Sequence, residues 1–432
     1  MILRKNTCIY YLAFFLLLGN AMFGRLAQHI FFSNFISSIS LVFYIILLLI
    51  VTAKKKMNFK VSFFVIYFSF LFLFFILYRN HNLQGSGITN IVFLLTILIS
   101  IYLLYDSIEW IPPFLNVLNI LCSLHVFITV ITFFIPSVGY NIVNWNLSGD
   151  ELIVAISQIE NGKIVGLSDT YSLNATYISL AFGLSITNVL YYGENSFKNY
   201  KFIYFIFSFI ALIVVGKRAH VILSLITIIF IWLIENRKKI KKRFFNLALL
   251  FILLVPIIVF LLPYVSNSLV FIDRFFDQQD LSTLGGRTEL YAEAFRIFKD
   301  HVFIGVGWAG YPEIVQYTVG ANYISGFSRM QAHNIYLQLL AEVGIIGFIF
   351  FAYLFYSGIR AGISEMRVLN ERSKYKFFVV YSLYIQIFFV LYGLSGNPLY
   401  DRATYIPYFI SLTIIYAIRF NNRNGKNNEK IF

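Results

Sequence analysis

Charged residues are scarce in this sequence. Only 12% of its 432 residues are Asp, Glu, Lys or Arg, whereas a soluble domain carries about a quarter. Hydrophobic residues make up 59% and fall in many separate runs. This composition excludes an ordinary soluble protein and predicts an all-α integral membrane protein that crosses the bilayer many times.

Cysteine is scarcer still. Cys8 and Cys122 each lie in an apolar run, and two distant thiols provide neither a disulfide framework nor a metal site. The sequence therefore predicts no metal and no cofactor. A small-x-small cleavage site is also missing after the first apolar run, so we interpret that run as an uncleaved first helix.

Twelve apolar segments are long enough, or nearly so, to cross a hydrocarbon core of about 30 Å. They are centred near residues 8–24, 34–53, 60–78, 88–105, 111–135, 172–192, 202–216, 220–235, 244–264, 334–357, 377–393 and 403–419. We therefore expect about twelve transmembrane helices in one polytopic membrane domain that spans residues 1–432.

Basic residues give the chain a net charge of +14, which alone would suggest a nucleic-acid partner. Their distribution argues against nucleic acid, because they cluster in short loops between apolar runs. With both termini in the cytoplasm, 23 of the 34 basic residues lie in cytoplasmic segments and 11 elsewhere. The positive-inside rule favours this orientation, with a cytoplasmic tail at residues 421–432.

Two long loops then lie on the periplasmic side. The first covers residues 136–171, and the large loop covers residues 265–332, between the ninth and tenth predicted helices. Loops of that length are usually functional. In the large loop, Leu290, Ala294 and Phe298 lie four residues apart, which predicts an amphipathic helix on the membrane surface with its apolar face down.

The run Gly305-Val306-Gly307-Trp308-Ala309-Gly310 matches the dinucleotide-binding pattern G-x-G-x-x-G. That fingerprint requires a preceding strand within a βαβ unit. Here the run follows an amphipathic helix in an outer loop. We therefore expect its glycines to provide turns or close backbone approach.

Several cations stand on the predicted outer side, where Lys and Arg are normally rare. Lys217 and Arg218 interrupt two apolar runs, and Arg287 follows Gly285-Gly286 at the start of the amphipathic helix. Guanidinium groups and helix N-termini bind phosphate oxygens well, so these residues indicate an anionic partner. The alternatives are a hairpin with snorkelling basic residues for the first pair and a solvated surface arginine for Arg287.

A polar stripe begins the tenth predicted span. Asn334, Gln338 and Glu342 are spaced four residues apart, so they share one helix face, and His333 precedes them. Asn334 suits an N-cap. An acid inside a membrane segment indicates a functional site, with interhelical hydrogen bonding as the alternative.

These features occur in an order that resembles one family. A Lys-Arg turn precedes a large outer loop, which begins with Gly-Gly-Arg and ends in H-N-x-x-L-x-x-x-x-E-x-G-x-x-G at His333 to Gly347. From Gly216 to Gly347 the sequence resembles the O-antigen polymerase and O-antigen ligase superfamily of bacterial surface-polysaccharide assembly. The remainder matches in topology, since twelve helices with the large loop between the ninth and tenth is the family layout.

The resemblance implies a C-type glycosyltransferase-like fold without a metal, at the outer face of the bacterial plasma (inner) membrane. It implies that Arg218 and Arg287 hold the diphosphate of an undecaprenyl-diphosphate-linked oligosaccharide and that His333 lies beside the acceptor hydroxyl. Preorganised cations suit the charge that develops on this leaving group, and histidine can accept a proton at neutral pH. Glu342 lies about 13 Å along the helix from His333, so we expect a structural role for it. The further candidate substrate-binding residues are Lys217, Arg274, Arg296 and Asn334, with Arg329 and Arg402 ranked below them.

Polymerase and ligase share this donor. A polymerase transfers the growing glycan to the next lipid-linked repeat unit, and a ligase transfers it to lipid A-core. The chain is rich in Phe, Tyr, Ile, Asn and Lys, a bias typical of AT-rich polysaccharide gene clusters, which favours an O-antigen or capsular polymerase. The expected partners are the lipid-linked donor, an acceptor glycan, the lipid bilayer and a chain-length regulator.

A flippase for lipid-linked oligosaccharides is the alternative from another class. Such a transporter predicts internal repeats and broken helices in matching positions. The sequence contains no repeat between its halves, and its polar candidates gather on the predicted outer side. Glycosyl transfer therefore remains the preferred interpretation.

Overall fold

The computed structural model describes residues 2–31, 35–53, 85–191, 199–235, 238–261, 287–318, 331–370 and 373–423. Within these ranges all regular secondary structure is helical, with no strand. The predicted all-α class is therefore confirmed for the described part of the chain.

The described α-helices are numbered here in chain order, with one 3-10 helix before the last. They are α1 (Ile2–Phe31), α2 (Phe35–Thr52), α3 (Gly85–Leu104), α4 (Ile111–Phe134), α5 (Pro136–Asn146), α6 (Gly149–Glu160), α7 (Tyr171–Tyr191), α8 (Asn199–Val214), α9 (Arg218–Ile234), α10 (Lys238–Leu261), α11 (Arg287–Asp300), α12 (Tyr311–Thr318), α13 (Ile335–Val368), α14 (Lys374–Tyr392), the 3-10 helix (Pro398–Tyr400) and α15 (Arg402–Arg423).

Six of the described helices are long and apolar enough to cross a membrane, namely α1, α4, α7, α13, α14 and α15. Shorter apolar stretches occupy α2, α3, α8 and α9. The predicted segment near residues 60–78 lies outside the described residues, and the other eleven coincide with helices. A multi-pass membrane protein is thus confirmed, while the count of twelve spans stays a prediction.

The predicted loops contain helices of their own. The first loop, residues 136–171, holds α5 and α6, and α7 begins at its last residue. The predicted tail begins inside α15, which continues to Arg423, because the helical pattern outlasts the apolar run. Residues 262–286 and 319–330 of the large-loop region lie outside the described residues, as does Arg274.

Helices α7, α14 and α15 form the centre of the bundle, since most of their residues are buried, polar ones included. Gly183 of α7 admits the ring of Tyr384 from α14, because a Cβ at residue 183 would lie 2.0 Å from that ring. The Tyr384 hydroxyl is 3.0 Å from both the Ser179 carbonyl and Ser224 Oγ. Small residues permit such close packing between membrane helices, and here they join α7, α9 and α14.

The amphipathic helix predicted in the large loop is present as α11, but its apolar face packs on protein. Leu290, Ala294 and Ile297 are buried in a cluster that includes Tyr311 of α12 and Ala341 of α13. The predicted placement of this face on the membrane surface is therefore wrong. The reason is that the chain after α11 folds back onto α13, so that residues of both segments cover the stripe.

Glycines allow this folded-back segment to dock on α13. Gly305 (φ 71°) and Gly344 (φ 63°) adopt left-handed backbone conformations, and Gly344 interrupts the helix. A Cβ at residue 305 would lie 2.3 Å from the Glu342 carbonyl carbon, and the Gly307 N–H donates to the carbonyl of Glu342 at 2.8 Å. The predicted role of these glycines in turns and close backbone approach is confirmed.

Buried hydrogen bonds of Glu342 hold the segment that follows α11 against α13. Its fully buried carboxylate accepts hydrogen bonds from the N–H groups of Ala309 (2.8 Å) and Tyr311 (3.3 Å), from Gln338 Nε2 (3.0 Å) and from the Tyr400 hydroxyl. A buried carboxylate is tolerated only with such partners. These are the contacts of the structural role expected for Glu342, since they join the loop, α13 and the 3-10 helix.

Candidate active site

Lys217 lies in the turn between α8 and α9, which bends at Gly216 (φ 82°). Its half-buried Nζ donates to Ser172 Oγ and to the Tyr392 hydroxyl (3.4 Å). The same atom is 5.5 Å from the ring centroid of Tyr171 and 5.4 Å from that of Tyr392. Among the residues that the structure describes, no carboxylate lies within ion-pair distance of it. Hydroxyls and aromatic faces are therefore the direct contacts that stabilise this charge within the described ranges.

Arg287 is a second cation of this kind. It begins α11, and its Nη1 donates to the carbonyl of Ser395 at 3.3 Å. Ser395 lies in the connection from Gly393 to Asp401, between α14 and α15. No carboxylate of the described ranges forms an ion pair with Arg287. Its guanidinium therefore retains donors for a ligand.

His333 is held in an uncommon backbone conformation just before α13. Its φ of 53° lies in the left-handed region, which few residues other than glycine adopt. One orientation of the Asn397 amide satisfies both of its polar atoms. In it, the oxygen accepts from the His333 N–H (3.0 Å) and the nitrogen donates to Gln338 Oε1 (3.2 Å). The Ile335 N–H donates to the Gly393 carbonyl at 2.8 Å. The Gly393–Asp401 connection thus packs directly against the histidine.

The charge state of His333 links it to both cations. Its side chain reaches solvent, but surrounding protein partly desolvates the ring, and the positive charges of Arg287 and Lys217 add to this effect. Together they lower the pKa of His333 to about 4. The structure therefore brings Lys217, Arg287 and His333 into one electrostatic site, with a neutral imidazole at pH 7.

Arg218 lies directly after Lys217. It is the first residue of α9, and its Nη1 is shielded from solvent. The cation that acts on His333 from this turn is Lys217. The role of Arg218 in the site stays a prediction.

Asp401 supplies negative charge close to the cations. Its Oδ1 accepts from the Ala403 N–H at 2.9 Å and so caps α15. Burial raises the pKa of Asp401 to about 6, and this rise is opposed by its hydrogen bond to Ala403 and by the charges of Lys217 and Arg402. Asp401 therefore modulates the field at Lys217 without forming an ion pair with it.

The other predicted binding residues have contacts elsewhere. Asn334 caps α13, as predicted, because its side-chain oxygen accepts from the N–H groups of Tyr336 (3.0 Å) and Leu337 (3.2 Å). Arg296 lies on the exposed side of α11 and forms ion pairs with Glu293 (2.6 Å) and Asp300 (3.2 Å). Arg402 stacks on Phe93, with 4.5 Å between guanidinium and ring centroid, and Arg329 lies outside the described residues. Substrate contacts by these residues stay predictions.

The connection from Gly393 to Asp401 was not singled out from the sequence. It contacts Arg287 through Ser395, His333 through Asn397 and Glu342 through Tyr400. The available signal was its position, since it joins the last two predicted spans on the side that carries the cations. Only the fold brings its uncharged groups to the site.

Fold and geometry thus define a multi-pass α-helical membrane protein in which Lys217 and Arg287, without an ion-pair partner among the described residues, act on one histidine. Residues 203–352 match a protein-family model described as O-antigen ligase. This match confirms the resemblance to the O-antigen polymerase and O-antigen ligase superfamily, whose members are glycosyl-transferring enzymes. A comparison with curated proteins found no match. The matched range includes the cations and the histidine of the site: Lys217, Arg218, Arg287 and His333.

Proposed function

We propose that this protein is an O-antigen or capsular polysaccharide polymerase. It transfers a growing glycan from undecaprenyl diphosphate to the next lipid-linked repeat unit, without a metal, on the outer face of the bacterial inner membrane. One observation carries the proposal: Lys217 and Arg287, which have no acidic ion-pair partner in the described ranges, converge on His333. Loops 136–171 and 265–332 accordingly face the periplasm.

The two cations bind the donor through its diphosphate. Half-buried cations that have no ion-pair partner among the described residues favour an anion, because a ligand phosphate supplies the counter-charge. Arg218, beside Lys217 at the start of α9, contributes a guanidinium to the same ligand. Asn334, Arg296 and Arg274 remain secondary candidates for contacts to the glycan.

His333 acts as the general base. The acceptor hydroxyl attacks the anomeric carbon of the donor sugar while the bond from that carbon to the diphosphate oxygen breaks. His333 takes the hydroxyl proton, and undecaprenyl diphosphate leaves with the bonding electrons. A neutral imidazole is required for this step, and the lowered pKa of His333 provides it at pH 7.

Donor binding also increases the basicity of His333. Lys217 and Arg287 hold its pKa down in the free protein, and a bound diphosphate offsets their charge. The pKa of the histidine then rises toward its ordinary value near 6.5, where proton transfer from a hydroxyl is more favourable. The base therefore becomes effective when the donor is in place.

Purified protein mixed with lipid-linked repeat unit tests the assignment. We expect Arg287→Ala and His333→Ala to abolish chain extension at normal expression, and Lys299→Ala to extend chains like the wild type. Lys299 is an apt control because it lies on α11 with Arg287 but stacks on Phe295 (4.7 Å) at the exposed surface. Full extension by both site variants would overturn the proposal.

O-antigen ligase is the second candidate, and the description of the matched family favours it. The donor site would be unchanged, and the acceptor would be lipid A-core. Deletion of the gene separates the two. Surface glycan limited to a single repeat unit identifies a polymerase, and a core without any antigen identifies a ligase.

A further inference from the structure

Asn397 occupies a central place beside the proposed base. Its oxygen accepts from the N–H of His333 at 3.0 Å, and its nitrogen donates to Gln338 Oε1 at 3.2 Å and to the Gly396 carbonyl at 3.3 Å. The reverse amide orientation would set acceptors against acceptors, so the neighbours fix the one described. Asn397 therefore connects the histidine to the polar stripe of α13.

A chain of hydrogen bonds extends from Asn397 into the protein. Gln338 Oε1 also accepts from the Ala332 N–H at 3.1 Å, and Gln338 Nε2 donates to Glu342 at 3.0 Å. Gln338 and Glu342 are fully buried, so their orientations are closely constrained. Asn397 is thus held by a rigid support that reaches the docked loop at Ala309.

We propose that Asn397 is a positioning residue that holds His333 in its left-handed conformation, and so fixes the imidazole beside Lys217 and Arg287. Gln338 and Glu342 act through Asn397. The proposal rests on the function proposed above for His333. It also gives Glu342 a role in α13. The carboxylate supports His333 through the side chains of Gln338 and Asn397 and does not contact the histidine itself.

The attachment of the connection does not depend on Asn397. The Ile335 N–H still donates to the Gly393 carbonyl at 2.8 Å, and Arg287 still contacts the Ser395 carbonyl. Loss of the Asn397 side chain therefore removes the acceptor of the His333 N–H, while the His333 carbonyl keeps the Tyr291 hydroxyl (3.5 Å) and the two elements stay joined. A misplaced base lowers the rate of proton transfer and leaves donor binding intact.

Steady-state transfer by purified full-length protein tests this with two substitutions. Asn397→Ala removes the acceptor for the His333 N–H, and we expect kcat to fall at least about 10-fold with an unchanged KM for the donor. Asn397→Asp retains the acceptor for the His333 N–H, replaces the donor to Gln338 Oε1 by an oxygen, and adds a negative charge that opposes Lys217 and Arg287. It should lose less of kcat than Asn397→Ala and move the acid limb of the pH–rate profile upward by roughly one unit.

A double variant and a control complete the experiment. In a His333→Ala background, Asn397→Ala should cause no further loss, because the asparagine acts through the histidine. Asn161→Ala is the matched control, since its amide donates locally to the Ser157 carbonyl (2.7 Å) at an exposed position. It should behave as wild type.

The outcomes separate this inference from the proposed function. Wild-type kcat in Asn397→Ala, with His333→Ala inactive, overturns the positioning role alone. Full activity of His333→Ala overturns both. If Asn397→Ala does not fold, Asn397→Asp decides: an unshifted pH profile contradicts the inference, and the upward shift supports it.

Discussion

Helices α9 and α14 run antiparallel, and a lysine lies at each end of the pair. At one end, the fully buried Lys376 of α14 is 3.2 Å from Glu235, which follows α9 and also accepts from the Tyr191 hydroxyl at 3.0 Å. At the other end, the contacts of Lys217 within the described part of the chain are the hydroxyls of Ser172 and Tyr392 and two aromatic rings. Among the described residues, the lysine at one end therefore has an acidic ion-pair partner and the lysine at the other end has none.

This difference separates a structural cation from the cation that we propose to bind the donor. A buried ammonium is tolerated when an acid neutralises it, as at Lys376. Lys217 is less buried and keeps its charge available, with Arg287 beside the same histidine. Two cations without an ion-pair partner among the described residues are costly for stability and useful for an anionic substrate.

Removal of His333 is expected to have the largest effect on activity. His333→Ala should lower the transfer rate about 10²–10⁴-fold, because a positioned general base contributes that much. The measurement is the initial rate of chain extension, with His301→Ala as the histidine control on the turn after α11. A rate within threefold of wild type would contradict the role of His333.

Removal of Lys376 should have the largest effect on stability. Lys376→Ala leaves Glu235 charged and buried, which costs about 3–5 kcal/mol of unfolding free energy. Thermal unfolding in detergent measures this as a lower Tm, and Lys376→Ala combined with Glu235→Ala should recover part of the loss. An unchanged Tm in the single variant would show that the pair is not structural.

Lys217→Gln should show the opposite behaviour. Because no acid is left unpaired, the free energy of unfolding should change by no more than about 0.5 kcal/mol. The KM for the donor should rise at least about 10-fold, since a charge-assisted contact is lost. A large fall in Tm with normal KM would reverse the comparison between the two ends.

The pH dependence of the transfer rate should show a smaller effect of the same two cations. His333 of the free protein has a pKa of about 4, so the acid limb of kcat/KM should lie near pH 4. The limb of kcat, which reports the donor complex, should lie at higher pH, below about 6.5. Activity is lost in each case as pH falls and the imidazole becomes protonated. Coincident limbs would mean that the donor does not offset Lys217 and Arg287.

The sequence predicts much of the fold because membrane helices depend on local apolar runs. Lys217, Arg287 and His333 could be chosen in advance for the same reason, since cations and a histidine stand out against an apolar background. The packing of α11 could not be predicted in this way. The packing of α11 on α13 depends on contacts between distant segments, and the stripe of Leu290 and Ala294 fits lipid or protein equally well.

The residues that contact His333 and Arg287 from the Gly393–Asp401 connection could not be predicted from the sequence either. Asn397 and Ser395 are uncharged and lie more than sixty residues along the chain from His333, so no spacing connects them to it. Likewise, the sequence marks Lys217 and Arg218 as a pair and does not show that the charge of Lys217 reaches the histidine.

Direct binding of undecaprenyl diphosphate to the detergent-solubilised protein tests the central claim, that Lys217 and Arg287 are open cations for the donor. The double variant Lys217→Gln/Arg287→Gln should bind at least about 100-fold more weakly than wild type, because two charge-assisted contacts are removed. Lys299→Gln should bind normally and report any general effect of charge. Equal affinity of the double variant and wild type would contradict the account.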